Sequence, residues 1–184
     1  SFIHVVEQYL TYPVNAKVQD YFAEGLMKTI VEEGRKVLQN PNDYDIRANL
    51  MWAATNALNC WIGQGVPQDW SSHRMGYALT AQFGLDHAQT LAVILPGVMT
   101  YMIRMGEVIF GITEGSADEK AQKSIEATED FFHFMGLKTR LSDYGIKESD
   151  LDALVEPIDR MGWKLGEYGN INSKVAKEIL LLRL

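Results

Sequence analysis

Apolar residues recur along this chain with the period of a helix, and sustained apolar–polar alternation of the strand type occurs nowhere. Ser1–Thr11 opens with Phe2, Ile3, Val5 and Val6 and stops before Pro13, which predicts a short first helix. Val14–Leu38 predicts a long one, with Val18, Phe22, Leu26, Ile30 and Leu38 as its apolar stripe. The turn Asn40-Pro41-Asn42-Asp43 leads into a third helix over Asp45–Ile62, closed by Gly63 and Gly65. Asp69 is the expected N-cap of a helix running to Gln82, and another begins near Asp86, with Pro96 set to kink or divide it. Ser116-Ala117-Asp118-Glu119 matches a capping box and opens a helix that Gly136 ends. Ser149–Met161 and Ser173–Leu184 complete the set. The expected fold is an all-α helical bundle, with no repeat, linker or low-complexity tract dividing residues 1–184.

Size and charge narrow the function. A chain of 184 residues that is 47% hydrophobic can bury a full core as one domain. The net charge of −7, with no cluster of Lys and Arg, argues against nucleic acid as a partner, because phosphate neutralisation needs a basic surface. The single cysteine, Cys60, excludes an internal disulfide and fits a reducing, cytoplasmic setting; its apolar neighbours predict a small core residue. Leu91–Ile112 is the one membrane candidate, but Pro96, Arg104 and Glu107 make it a buried helix instead. The chain begins abruptly, already apolar and periodic, as a piece of something longer would.

Histidine carries the candidate chemistry. There are four, and two of them, His73 and His87, lie fourteen positions apart in one apolar stretch. On one unbroken helix a rise of about 1.5 Å per residue would hold them roughly 21 Å apart, beyond the reach of a single ion. Gly84 offers a break, since glycine enters left-handed conformations cheaply and commonly ends helices. A second helix starting near Asp86 would return His87 toward His73. His4 is the third candidate, and three neutral imidazoles suit zinc or iron while leaving a position for a fourth ligand or substrate. Tyr77, one turn after His73, is a proton-donor candidate or a packing aromatic, whereas His133 among Phe131, Phe132 and Phe134 reads as a hydrogen-bonded structural residue. A metal-dependent phosphohydrolase is an alternative, but the chain has Asp86-His87 and no His-Asp pair. A non-catalytic helical interaction module is another.

Val66-Pro67-Gln68-Asp69-Trp70-Ser71-Ser72-His73 and Gly84-Leu85-Asp86-His87-Ala88-Gln89-Thr90-Leu91 closely resemble the iron-containing alcohol dehydrogenase family, in its NADPH-dependent aldehyde reductase and butanol dehydrogenase branch. His4–Tyr9, Arg47–Thr55 and Leu141–Gly145 add matching stretches, so the likeness spans nearly the whole chain. The resemblance implies the C-terminal, all-helical, metal-binding domain of a two-domain enzyme of the dehydroquinate synthase-like fold. It implies Fe(2+) or Zn(2+) held by one Asp and three His, with His4, His73 and His87 in the histidine positions and the Asp one turn before His4, outside this chain. NADP(H) or NAD(H) would bind through an absent N-terminal dinucleotide-binding domain, and the whole protein would form a homodimer acting on small alcohols or aldehydes. The fragment alone is expected to be inactive. Trp70, Met75 and Phe83 are the expected pocket residues. Two departures stand out: Tyr77 replaces a histidine that many relatives carry, and Phe83 lies where many have another. The segment between Leu95-Pro96 and Ile112–Gly115 is also expected to be shorter than in close relatives.

Overall fold

The computed structural model describes residues 1–100, 110–166 and 168–184. Among the described residues there are eight α-helices: α1 (Phe2–Tyr9), α2 (Lys17–Val37), α3 (Tyr44–Ala57), α4 (Ser71–Phe83), α5 (His87–Met99), α6 (Ala117–Phe134), α7 (Leu151–Arg160) and α8 (Ser173–Leu181). Short 3₁₀ turns at Ser142–Tyr144 and Glu148–Asp150 precede α7, and one isolated antiparallel bridge joins Leu165 to Ile171. The all-α expectation holds. None of the described helices is long and apolar enough to cross a membrane. The expected buried helix over 91–112 is buried through Met99, and its continuation over 101–109 lies outside the described residues.

The described residues form two compact units. The first combines Ser1–Gln68 with the described part of 104–127. In it α1 buries Phe2, Ile3, Val5 and Val6, and α2 packs on both α1 and α3. The inward face of α2 is Ala23, Met27, Ile30, Val31 and Gly34, and only Ile30 of the expected stripe belongs to it. Val18 is 59% exposed, and Phe22 and Leu38 also face solvent. Steps of four residues advance about 40° past a full turn each time, so the expected stripe winds around the helix. Alternating steps of four and three, as in 23, 27, 30 and 34, hold one side.

Helix α3 starts where Asp43 caps it, accepting from the Ile46 N–H at 3.1 Å. It ends at Ala57, five residues before the expected Ile62, and the chain then turns through Cys60 at φ +68°. Cys60 is exposed, contrary to the core assignment: its neighbours are apolar, but they belong to a turn. Tyr44, Met51 and Trp52 likewise point outward from α3, and Trp61 beyond it meets Phe22 edge-on with ring centroids 5.9 Å apart.

The second unit combines the described part of 69–103 with Thr128–Leu184. Here α4 packs on α5 and α7, and α8 on α5 and α7, around Leu79, Ile94, Leu141, Leu151, Ile179 and Leu180. Pro96 does not divide α5, which runs on to Met99. Arg183 ties the unit together from a buried position: Nε donates to the Val93 carbonyl at 2.9 Å, and Nη2 donates to the Thr139 carbonyl at 2.8 Å and to the Glu129 carboxylate. Helix α6 opens with the expected capping box, Ser116 N–H donating to Glu119 Oε2 at 2.7 Å. Near its end, exposed His133 has Nε2 2.9 Å from Oγ1 of buried Thr139, so it is hydrogen-bonded as expected but is not itself in the core.

Candidate metal centre

The second unit brings two of the candidate histidines together. His73 occupies the first turn of α4 and is 5% exposed. Its ring meets Trp70 edge-on, with centroids 5.1 Å apart and planes at 78°. Eleven residues later α4 stops at Gly84, whose φ of +67° and ψ of 22° are left-handed, with its N–H donating to the Thr80 carbonyl at 3.0 Å. Extended Asp86 follows as the N-cap of α5, and Gln89 Oε1 accepts from the Asp86 N–H at 2.9 Å in the returning arm of a capping box. His87 is therefore the first residue of α5. The break expected at Gly84 is present, and its consequence is direct.

The His73 and His87 ring centroids lie 5.1 Å apart, with planes at 53°. Two imidazoles bound at about 2.0–2.1 Å to one tetrahedral ion would have centroids about 5 Å apart, so the pair fits a shared divalent ion. Partial loss of hydration and the neighbouring His73 ring both hold the His87 imidazole below its ordinary range, which favours the neutral form that ligates.

Close helix contact sets this spacing. Gly76 lies three residues after His73 and Thr90 three after His87. A Cβ on Gly76 would sit 3.0 Å from Thr90 Oγ1 and 3.6 Å from Leu91 Cδ2, so any larger residue there would make the Thr90 side chain or the helices give way. The fully buried Thr90 hydroxyl donates to the His87 carbonyl at 2.8 Å and secures the first turn of α5. Sequence reasoning missed this pair. Its signal is a small residue one turn after each histidine.

His4 is carried on α1 in the first unit, partly buried, with Phe2, Ile3, Val5 and Val6 buried around it. Tyr77 is 54% exposed, so it is not a packing aromatic of the core. Met75 does not face an open pocket: it is buried in the core of the second unit, while Phe83 at the end of α4 is exposed. Asp69 is not the N-cap, a position held by Trp70 without a side-chain cap; Asp69 acts from one residue further back, accepting from the Ser71 N–H at 3.1 Å.

Residues 1–180 match the sequence profile of the Fe-containing alcohol dehydrogenase family, C-terminal part. The chain belongs to that family. It is 48% identical over 188 residues to the NADPH-dependent aldehyde reductase YqhD of Escherichia coli (strain K12), covering 97% of this chain and 49% of that protein. It is 33% identical to NADH-dependent butanol dehydrogenase B of Clostridium acetobutylicum, covering 96% of this chain and 48% of that one. Among solved structures, the substrate- and cofactor-free aldehyde reductase YqhD of E. coli superposes with a TM-score of 0.94 at 46% identity, over 100% of this chain and 50% of that chain. NADH-dependent butanol dehydrogenase A of Thermotoga maritima superposes with a TM-score of 0.89 at 30% identity, over 99% and 50%. The chain thus spans about half the length of the relatives it matches, and the fold is that of their C-terminal helical domain.

Proposed function

We propose that this chain is the metal-holding helical half of an NAD(P)H-dependent alcohol dehydrogenase or aldehyde reductase acting on small alcohols or aldehydes. His4, His73 and His87 are the proposed ligands of Fe(2+) or Zn(2+), with a fourth ligand supplied from outside these residues. The observation that carries the reading is the 5.1 Å separation of the His73 and His87 rings on two helices broken at Gly84. A bound divalent ion supplies Lewis-acid polarisation of a substrate oxygen.

The rest of the mechanism belongs to the chain. Buried His73 is fixed against Trp70, which limits the rotamers its ring can adopt and so prepays part of the ordering cost of binding. His87 stays neutral to lower pH than an ordinary histidine, keeping its nitrogen lone pair available. Tyr77, open to solvent one turn after His73, is the proposed proton carrier between the site and bulk water. Hydride chemistry belongs to a nicotinamide cofactor, whose proposed binding domain is the other half of the relatives' length; a homodimer of the complete enzyme is part of the same proposal.

Zinc titration of the purified chain against a chromophoric chelator tests the site. His73→Ala and His87→Ala should each weaken binding by at least about 100-fold, because each removes a ligand and not merely a support. Equal affinity in all three proteins would overturn the assignment. The chain alone should not reduce butyraldehyde with NADPH, and turnover at an ordinary enzymatic rate would refute the proposed division of labour.

A further inference from the structure

Asp69 has no part in the site as described, yet its chemistry is unusual for a helix start. It is 4% exposed, and three donor hydrogens serve its end of the helix. Oδ1 accepts from the Ser71 N–H at 3.1 Å, from the Ser71 hydroxyl at 2.6 Å and from the Gly166 N–H at 3.2 Å. The Gly166 N–H is shared with Ser71 Oγ at 2.9 Å. Oδ2 is buried and accepts no hydrogen bond from the described residues. Burying a carboxylate and leaving one oxygen unused is a costly way to cap a helix, since an exposed Ser or Asn would satisfy the same N–H. The benefit must lie in where the helix is held.

The geometry shows where. Ser71 is the first residue of α4 and His73 the third. The first four N–H groups of a helix lack intrahelical partners, so an untied first turn frays. Asp69 and Ser71 instead bind that turn to Gly166, a residue 97 positions from Asp69 in the sequence. Gly166 is itself immovable in kind: its φ is +77°, and a Cβ there would lie 2.6 Å from Asn170 Oδ1. The first turn of α4 is therefore clamped in rotation as well as position. We propose that Asp69 is a positioning residue that aims the His73 imidazole, acting through Ser71 and the Gly166 backbone. This rests on the metal-site reading only in giving His73 its purpose.

The test uses the 184-residue chain and two readouts. The first is the ring-proton shifts of His73 by NMR, which the edge-on Trp70 indole displaces while the two rings stay in register. The second is zinc affinity. Asp69→Ala should move the His73 ring shifts toward those of a freely rotating imidazole and weaken zinc by about 10- to 100-fold, with helical circular dichroism retained. Asp69→Asn keeps the Oδ1 acceptor and should restore both readouts to within about threefold of the parent in affinity. Should Asp69→Ala fail to fold, Ser71→Ala decides instead: it removes the hydroxyl arm alone and should shift the His73 ring in the same direction. Unchanged His73 shifts in a folded Asp69→Ala chain, or in Ser71→Ala, would overturn the proposal, as would an Asn variant as disturbed as the Ala one. His73 shifts that respond in a chain that binds no zinc would support the positioning role and overturn the metal assignment.

Discussion

Gly76→Ala puts the contact between α4 and α5 to a quantitative test. By propensity alone the change should stabilise α4 by about 1 kcal/mol, because glycine is the poorest residue short of proline in a helix interior. The structure opposes that gain. The new Cβ would stand 3.0 Å from Thr90 Oγ1, closer than ordinary contact, and 3.4 Å from Thr90 Cβ, at its inner edge. The clash can be relieved in two ways. Turning the Thr90 side chain breaks its hydrogen bond to the His87 carbonyl, at a cost of about 1 kcal/mol or more for buried groups. Separating the helices loosens the core, and overpacking of this kind costs about 1–3 kcal/mol. The expected net effect is a loss of about 0–2 kcal/mol, in place of the gain that propensity predicts. Zinc binding should weaken as well, because both routes disturb the turn that carries His87. Urea unfolding followed by circular dichroism supplies the first number and chelator competition the second. Thr90→Ala in the Gly76→Ala background vacates the space, so the double-mutant cycle should show coupling of about 1 kcal/mol or more. A full stabilisation of about 1 kcal/mol with unchanged zinc affinity and additive mutations would refute the claim that this approach sets the histidine spacing.

Other consequences follow from buried polar groups. Arg183→Met should cost about 3–5 kcal/mol in urea unfolding, since it leaves the largely buried Glu129 carboxylate with only Arg140 at 4.0 Å and takes a donor from two carbonyls, and a loss under about 1 kcal/mol would show the ion pair to be dispensable. Burial pushes the Asp69 carboxyl above its usual range, so the native chain holds that proton more tightly than the unfolded one. The stability this group contributes is present below the ordinary carboxylate range near about pH 4 and is lost as pH rises through the native value. Asp69→Asn carries no such proton, and its stability relative to the parent should improve between about pH 4 and about pH 7; a difference that is flat or falls would contradict the shift.

Local signals were legible in the sequence where one residue decides a conformation. Gly84 ends α4, Asp86 starts α5, and Ser116 with Glu119 starts α6, each by backbone or capping chemistry that neighbours do not override. Faces were harder to read. On α2 the expected stripe took in Phe22 and left out Met27, and only packing against α1 and α3 selects Met27. Cys60 was misjudged for a related reason, since apolar neighbours do not reveal that α3 has already ended. His73 and His87 could be paired in advance because a single turn joins their helices. Gly166, by contrast, reaches Asp69 across 97 positions, and no periodicity connects them. The helix break that pairs the two rings was therefore visible early, and the contact between Asp69 and Gly166 was not.

Elemental analysis of the purified chain beside its His73→Ala variant tests most directly whether the histidines hold a metal. About one iron or zinc per chain is expected in the parent and a large loss in the variant, because His73 is the most buried of the proposed ligands. Equal metal in both proteins, or none in either after incubation with ferrous or zinc salt, would contradict it.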